Sequence, residues 1–108
     1  MGLKAKIWVS ALMRRAEANG AHAYLLRRGA EEAGAVFVKL NRLDGTVQVF
    51  SPARAGEGKR VWTRPLGEAA DEQTAAAYLA RQIKFDPDIW IVEIEDREGR
   101  TFLDDPVM

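Results

Sequence analysis

The stretch Val38-Lys39-Leu40-Asn41-Arg42-Leu43-Asp44-Gly45-Thr46-Val47-Gln48-Val49 decides the fold class. Two short β-branched segments flank Asp44-Gly45, a pair suited to a type I′ turn because both of its central residues take positive φ. A hairpin joining Val38–Leu40 to Val47–Val49 is therefore expected. Its first strand extends over Ala35 to Arg42, with Val36, Val38 and Leu40 on one face and Phe37, Lys39 and Asn41 on the other.

Upstream, His22 to Arg28 is also strand-like, and the two-glycine turn GAEEAG connects it to the hairpin. Lys6 to Asn19 reads as a helix: Val9, Leu12, Met13 and Ala16 recur on one side, and Gly20 supplies the stop. Downstream, Ser51 to Lys59 (SPARAGEGK) has no apolar period and is expected to be a mobile loop. Arg60 to Arg64 forms a short edge strand ended by Pro65. Asp71 caps a second helix running through Lys84, with Ala75, Ala76, Leu79, Ala80 and Ile83 as its inner stripe. After the breaker Phe85-Asp86-Pro87-Asp88, Ile89 to Glu95 is a strand with Trp90, Val92 and Ile94 on one face. Arg97 to Arg100 turns it back into Thr101-Phe102-Leu103. The order α-β-β-β-(β)-α-β-β, dominated by hairpins, predicts an α+β fold: an antiparallel sheet of five to six strands with both helices on one face.

The chain has 108 residues, 47% apolar and 30% charged, which suits one globular domain over residues 1–108 and excludes a disordered tail. Sixteen basic and sixteen acidic residues cancel, so a uniformly basic nucleic-acid protein is excluded. With no cysteine there is no disulfide, no thiolate nucleophile and no Cys-ligated metal. The apolar run Ile7 to Met13 is too short for a signal core or a membrane span. Gly2 lacks the Ser or Thr at position 6 that myristoylation wants, because Lys6 stands there. A cytoplasmic protein without membrane contact is the resulting expectation.

Four segments carry a resemblance: IWVSA (Ile7–Ala11), RRGAEEAGAVFVK (Arg27–Lys39), RLDG (Arg42–Gly45) and FDPDIWIVEIEDREGR (Phe85–Arg100). Together they resemble the short bacterial proteins of domain of unknown function family 1491. No family pattern lies over Ser51–Leu66. The resemblance implies a bacterial single-domain protein and carries over no activity, cofactor or functional residue.

Candidate site residues each have a structural reading beside the functional one. His22, the sole histidine, has no local nucleophile; Ser10 or Ser51 would have to reach it in space, and otherwise it is an exposed strand-end residue. Glu31 and Glu32 suit a solvated turn better than a cation site. Asp86, Asp88 and Glu93 form the sharpest divalent-metal candidate, against a reading in which the aspartates shape a turn and Glu93 lies on a wet strand face. Trp90 is expected in the core, whereas Trp8, on the flank of the first helix, marks a contact surface.

Charge is unevenly spread. Residues 1–67 hold twelve basic and five acidic side chains, a balance of +7, and residues 68–108 hold four and eleven, a balance of −7. Either the halves interleave as surface ion pairs or they leave patches. Arg14-Arg15 and Arg27-Arg28 are the candidate anion-binding residues, with about one arginine of each pair able to reach a single phosphate. The leading expectation is a non-enzymatic binding or adaptor module with no cofactor and a protein partner not specified by the sequence. A homodimer formed through Trp8 or open sheet edges fits the same expectation. Weak nucleic-acid binding through the arginines and a divalent-metal enzyme are the alternatives.

Overall fold

A computed structural model describes residues 4–108; Gly2, read above for acylation, lies outside them. The elements are α1 (Ala5–Ala18), β1 (His22–Arg27), β2 (Val36–Asn41), β3 (Val47–Arg54), a 3-10 turn at Gly56–Gly58, β4 (Arg60–Thr63), α2 (Glu72–Phe85) and β5 (Trp90–Glu95). The class is α+β, with one five-stranded sheet in the order β1-β5-β2-β3-β4.

The last strand enters the middle of the sheet. β5 runs antiparallel to β1, with His22 opposite Glu95, and parallel to β2, with Val36 opposite Trp90. The sheet is thus mixed where an all-antiparallel one was expected. β1 and β2 are consecutive in the chain yet form no hairpin, because β5 takes the slot between them.

Both helices follow their apolar stripes, but they cover opposite faces instead of one. Val9, Leu12 and Ala16 of α1 pack with Val36, Val38, Leu40, Trp90, Val92 and Ile94. Ala75 and Leu79 of α2 pack with Phe37, Val47, Val49, Ile89 and Ile91. The reason lies in the strands: β2 and β5 are apolar on both faces over most of their length, so each face needs a cover. Asp71 caps α2 by accepting from Thr74 N at 2.7 Å, whereas Ala76 and Ala80 of the expected stripe face outward.

Three local expectations change. Asn41 opposes Val47, so the hairpin loop spans residues 42–46 and is not a two-residue type I′ turn. Positive φ falls on Leu43 and Gly45, and Asp44 instead accepts from Thr46 N (2.9 Å) and Oγ1 (2.6 Å). The segment 51–59 is not a free loop: β3 continues to Arg54 and pairs with β4, Pro52 opposite Trp62. The ladder with β2 stops at Val38–Phe50, just before that proline, so the missing N–H falls beyond it. Thr101–Leu103 is not a strand. Phe102 takes φ 62°, and Phe102 and Leu103 fold back against the α1 side of the core. The chain then reaches β4, where Trp62 N donates to Pro106 O and Met108 N donates to Trp62 O.

Trp90 is enclosed by the segment between β1 and β2. Its indole Nε1 donates to Ala30 O (2.7 Å), its N–H donates to Ala35 O (2.8 Å), and Ala30 N donates to Asp88 O (2.9 Å). Arg28 stacks its guanidinium 5.4 Å from the indole centroid. Gly29 and Gly34 admit this closeness, since a Cβ on Gly29 would lie 2.6 Å from the Trp90 ring and one on Gly34 2.9 Å from it, with the Asp88 carbonyl closer still. The same segment seats α1, because Ala5 N and Lys6 N donate to the carbonyls of Glu32 and Glu31.

At the far end of β5, buried Asp96 accepts from Arg100 N (2.8 Å), Nε (2.9 Å) and Nη2 (3.0 Å). Arg100 Nη2 also reaches Asn19 O, tying this turn to the end of α1. The Arg100 side chain outweighs burial and holds the Asp96 carboxyl at about 2.

Two predictions follow from these contacts. Gly29→Ala and Gly34→Ala should each destabilise the chain by about 2–3 kcal/mol in urea denaturation, because the added methyl displaces Asp88 or Trp90. For Asp96, the folded carboxyl ionises well below the unfolded value of about 3.9, so its contribution is complete above about pH 4 and disappears as pH falls through about 2. With Arg100 partly exposed, that contribution is about 1–2 kcal/mol. Asp96→Asn should be less stable than the parent at neutral pH, and the gap should close on acidification.

Candidate functional site

The expected arginine cluster disperses. Arg15 donates through Nε and Nη2 to Phe102 O (3.1 and 2.6 Å) and lies 3.9 Å from Asp104. Arg27 donates to Pro87 O (2.7 Å), while Arg28 reaches Glu31 (3.5 Å) and Trp90. Glu31 also pairs with Lys6 at the start of α1, about 13 Å of helix from Arg15. The two pairs therefore have separate neighbours. Arg28 stays exposed as well, but Arg14 is the one of the four with no side-chain hydrogen bond or ion pair among the described residues, and it lies beside a shallow hollow that also holds Lys4, Lys6 and Ser10.

The acidic candidates also separate. Asp86 accepts from Asp88 N in the loop before β5, and the Asp88 carbonyl serves the Trp90 collar. Glu93 lies on the α2 face of the sheet, 3.2 Å from Lys39. Among the described residues, no three His, Asp or Glu side chains gather in metal-holding geometry. Glu31 and Glu32 hold the start of α1, Glu32 pairing with Lys4 at 3.4 Å. His22 is exposed near Glu95, Asp96 and Arg100 in a hollow that contains no serine, whereas Ser10 lies on α1 and Ser51 on β3.

Lys39 is the one buried lysine. It sits between Glu72 of α2 (2.6 Å) and Glu93 of β5 (3.2 Å), and Asn41 Nδ2 donates to Glu93 (3.3 Å). Burial alone would lower the Lys39 pKa, but hydrogen bonds to the two carboxylates raise it above the ordinary lysine value. The ammonium is held charged and bolts α2 to the sheet.

A cleft the sequence reading missed lies on the α1 face, where α1 and the 32–35 turn meet the β3–β4 hairpin. It has a volume of about 260 Å³. Half-buried Trp8 and buried Trp62 form its wall, with ring centroids 5.8 Å apart and planes tilted by 32°. Pro52, Arg54, Arg60 and Glu32 line the rest. Pro52 opposes Trp62 and Arg54 opposes Arg60, so these four side chains share one face of the hairpin. Two like charges placed directly opposite disfavour strand pairing. Arg54 has only the Gly58 carbonyl as partner (3.0 Å), and Arg60 makes no ion pair among the described residues. Elsewhere the basic and acidic halves of the chain do interleave, through Lys39–Glu72, Lys39–Glu93, Arg15–Asp104 and Arg64–Glu68. The two arginines at the cleft are left over. Trp8 was singled out in the sequence, but its partners were not: Arg54 lay in the expected loop, and only the strand register brings it beside Arg60.

Removing one member of the Lys39 pair should expose its cost. Lys39→Met should destabilise by about 3–5 kcal/mol in urea, because Glu93 is left buried and charged, while Lys39→Met with Glu93→Leu should recover most of the loss. The folded proportion is read by near-UV circular dichroism.

A family model described as a protein of unknown function (DUF1491) matches residues 3–104. A crystal structure of a DUF1491 family protein from Caulobacter crescentus CB15 is 49% identical, with a TM-score of 0.92 over 99% of this chain and 100% of that one. An NMR structure of a DUF1491 family protein from the same organism is 50% identical, with a TM-score of 0.87 over 100% and 98% of the two chains. A solution structure of a protein from A. tumefaciens is 37% identical, with a TM-score of 0.82 over 95% and 93%. No curated protein matches the sequence. With the family model spanning nearly the whole chain and the fold shared at these identities, the chain belongs to the DUF1491 family of proteins of unknown function.

Proposed function

We propose that this chain is a non-enzymatic binding module acting in the cytoplasm, and that its ligand site is the Trp8–Trp62 cleft. The observation that carries this reading is the Arg54–Arg60 pair, two opposed and unneutralised guanidiniums at the mouth of an aromatic cleft. Such an arrangement weakens the ladder unless an anion sits between the charges. A guanidinium fork takes a carboxylate in bidentate fashion, and an indole wall takes a flat or aliphatic body. The best-fitting ligand is a protein segment in which an acidic residue adjoins an apolar one. Tryptophan and arginine are also the residue types that most often dominate protein interfaces. No helix among the described residues is long and apolar enough to cross a membrane.

Selection from a phage-displayed peptide library on the immobilised chain tests this. Recovered peptides should carry Asp or Glu next to an aromatic or aliphatic residue, and Trp8→Ala or Arg60→Glu should weaken their binding at least about tenfold. Peptides without acidic bias, or equal binding by both variants, would sink the reading. Preferential binding of a single-stranded oligonucleotide that depends on Arg14 and Arg28 would favour the nucleic-acid alternative instead.

A further inference from the structure

The two edges of the sheet are treated differently. At β4, the outer side of the strand is occupied by the end of the chain, with Trp62 N donating to Pro106 O (2.8 Å) and Met108 N to Trp62 O (2.7 Å). At β1 no segment does this among the described residues, and the strand pairs on one side only, with β5. Three consecutive large apolar side chains stand open there: Tyr24, Leu25 and Leu26 are 47%, 41% and 50% exposed. An open, apolar edge is a template for another strand.

We infer that the β1 edge is the contact between two copies of this chain, paired antiparallel about a two-fold axis. Charge at the edge is self-complementary. The Arg27 end carries Arg27, bonded only to a carbonyl, and Arg28, which shares Glu31 with Lys6, while the His22 end lies beside Glu95. The field at that second end is acidic: the Glu95 carboxylate, with desolvation, Glu93 and Glu17 adding, holds the Tyr24 phenol above its ordinary pKa. An antiparallel two-fold arrangement sets each basic end against the partner's acidic end, whereas a parallel one would stack like on like.

Pleating narrows the register. Residues directly opposite in a ladder share a face, and along β1 the faces alternate, so the axis must pass through a residue and not between two. The irregularity between Leu25 and Arg27 limits regular pairing to His22–Leu25. An axis at Tyr24 then places the two Tyr24 rings side by side on the α2 face and sets each Ala23 against the partner's Leu25 on the α1 face. A contact this short falls below the area of a standard stable interface, so the dimer is reversible and concentration-dependent. It lies on the opposite sheet edge from the Trp8–Trp62 cleft and stands independently of it.

Sedimentation equilibrium of the whole chain from about 10 µM to about 1 mM spans the range where so small a contact half-associates. The wild type should show a monomer–dimer equilibrium that weakens as sodium chloride is raised, and hydrogen exchange of the β1 amides should slow as concentration rises. Tyr24→Lys and Leu25→Lys, both at exposed positions, should each raise the dissociation constant at least about tenfold with unchanged far-UV circular dichroism. Arg60→Glu, at the other edge, should leave the constant unaltered. A monomer throughout the range, or a dimer indifferent to both lysine substitutions, would overturn the inference.

Discussion

The molecule depends on the insertion of β5 between β1 and β2, and on Trp90 as the residue that anchors it. A strand placed between two earlier ones contributes ladder bonds on both sides and buries Trp90, Val92 and Ile94 on one face and Ile91 on the other. The connection between β1 and β2 is what makes this possible, because it arches over the slot and closes around the indole. Its glycines are there because backbone and ring meet too closely for a Cβ. By also accepting the first N–H groups of α1, the connection links strand insertion to helix placement and so to the position of Trp8. Strand, collar and helix are thus joined by one continuous set of contacts.

Two buried charged groups, Lys39 and Asp96, are tied across elements. Lys39 joins α2 to β2 and β5 through two carboxylates, and Asp96 holds Arg100, which in turn reaches the end of α1. Through such ties Glu72, Glu93 and Asp104 of the acidic half pair with Lys39 and Arg15 of the basic half. Against that background of pairing, Arg54 and Arg60 are conspicuous. The buried lysine is neutralised twice, whereas these two opposed arginines have no carboxylate partner among the described residues.

The sheet edges extend the same reasoning from charge to backbone. One edge is covered by the chain itself, and the coverage costs the sequence its last strand: Thr101–Leu103 turns inward, so that Pro106–Met108 can lie along β4. The other edge keeps its unpaired backbone beside exposed apolar side chains. Cleft and open edge therefore occupy opposite ends of the strand order.

What the sequence by itself determined was local: both helices with most of their inner stripes, the Asp71 cap, the strand positions of His22, Val36, Val47, Arg60 and Trp90, and the α+β class. Those follow from periodicity and capping, which act over a few residues. Its resemblance to family 1491 likewise rested on contiguous residues and was sufficient to place the chain. Only the tertiary structure decided the neighbour of each strand, the opposite placement of the helices, and the meeting of Trp8, Trp62, Arg54 and Arg60. An apolar strand looks the same in sequence whether it pairs with the preceding strand or admits a later one between them. The choice is made by burial of both its faces and by a ladder formed with residues more than fifty positions away.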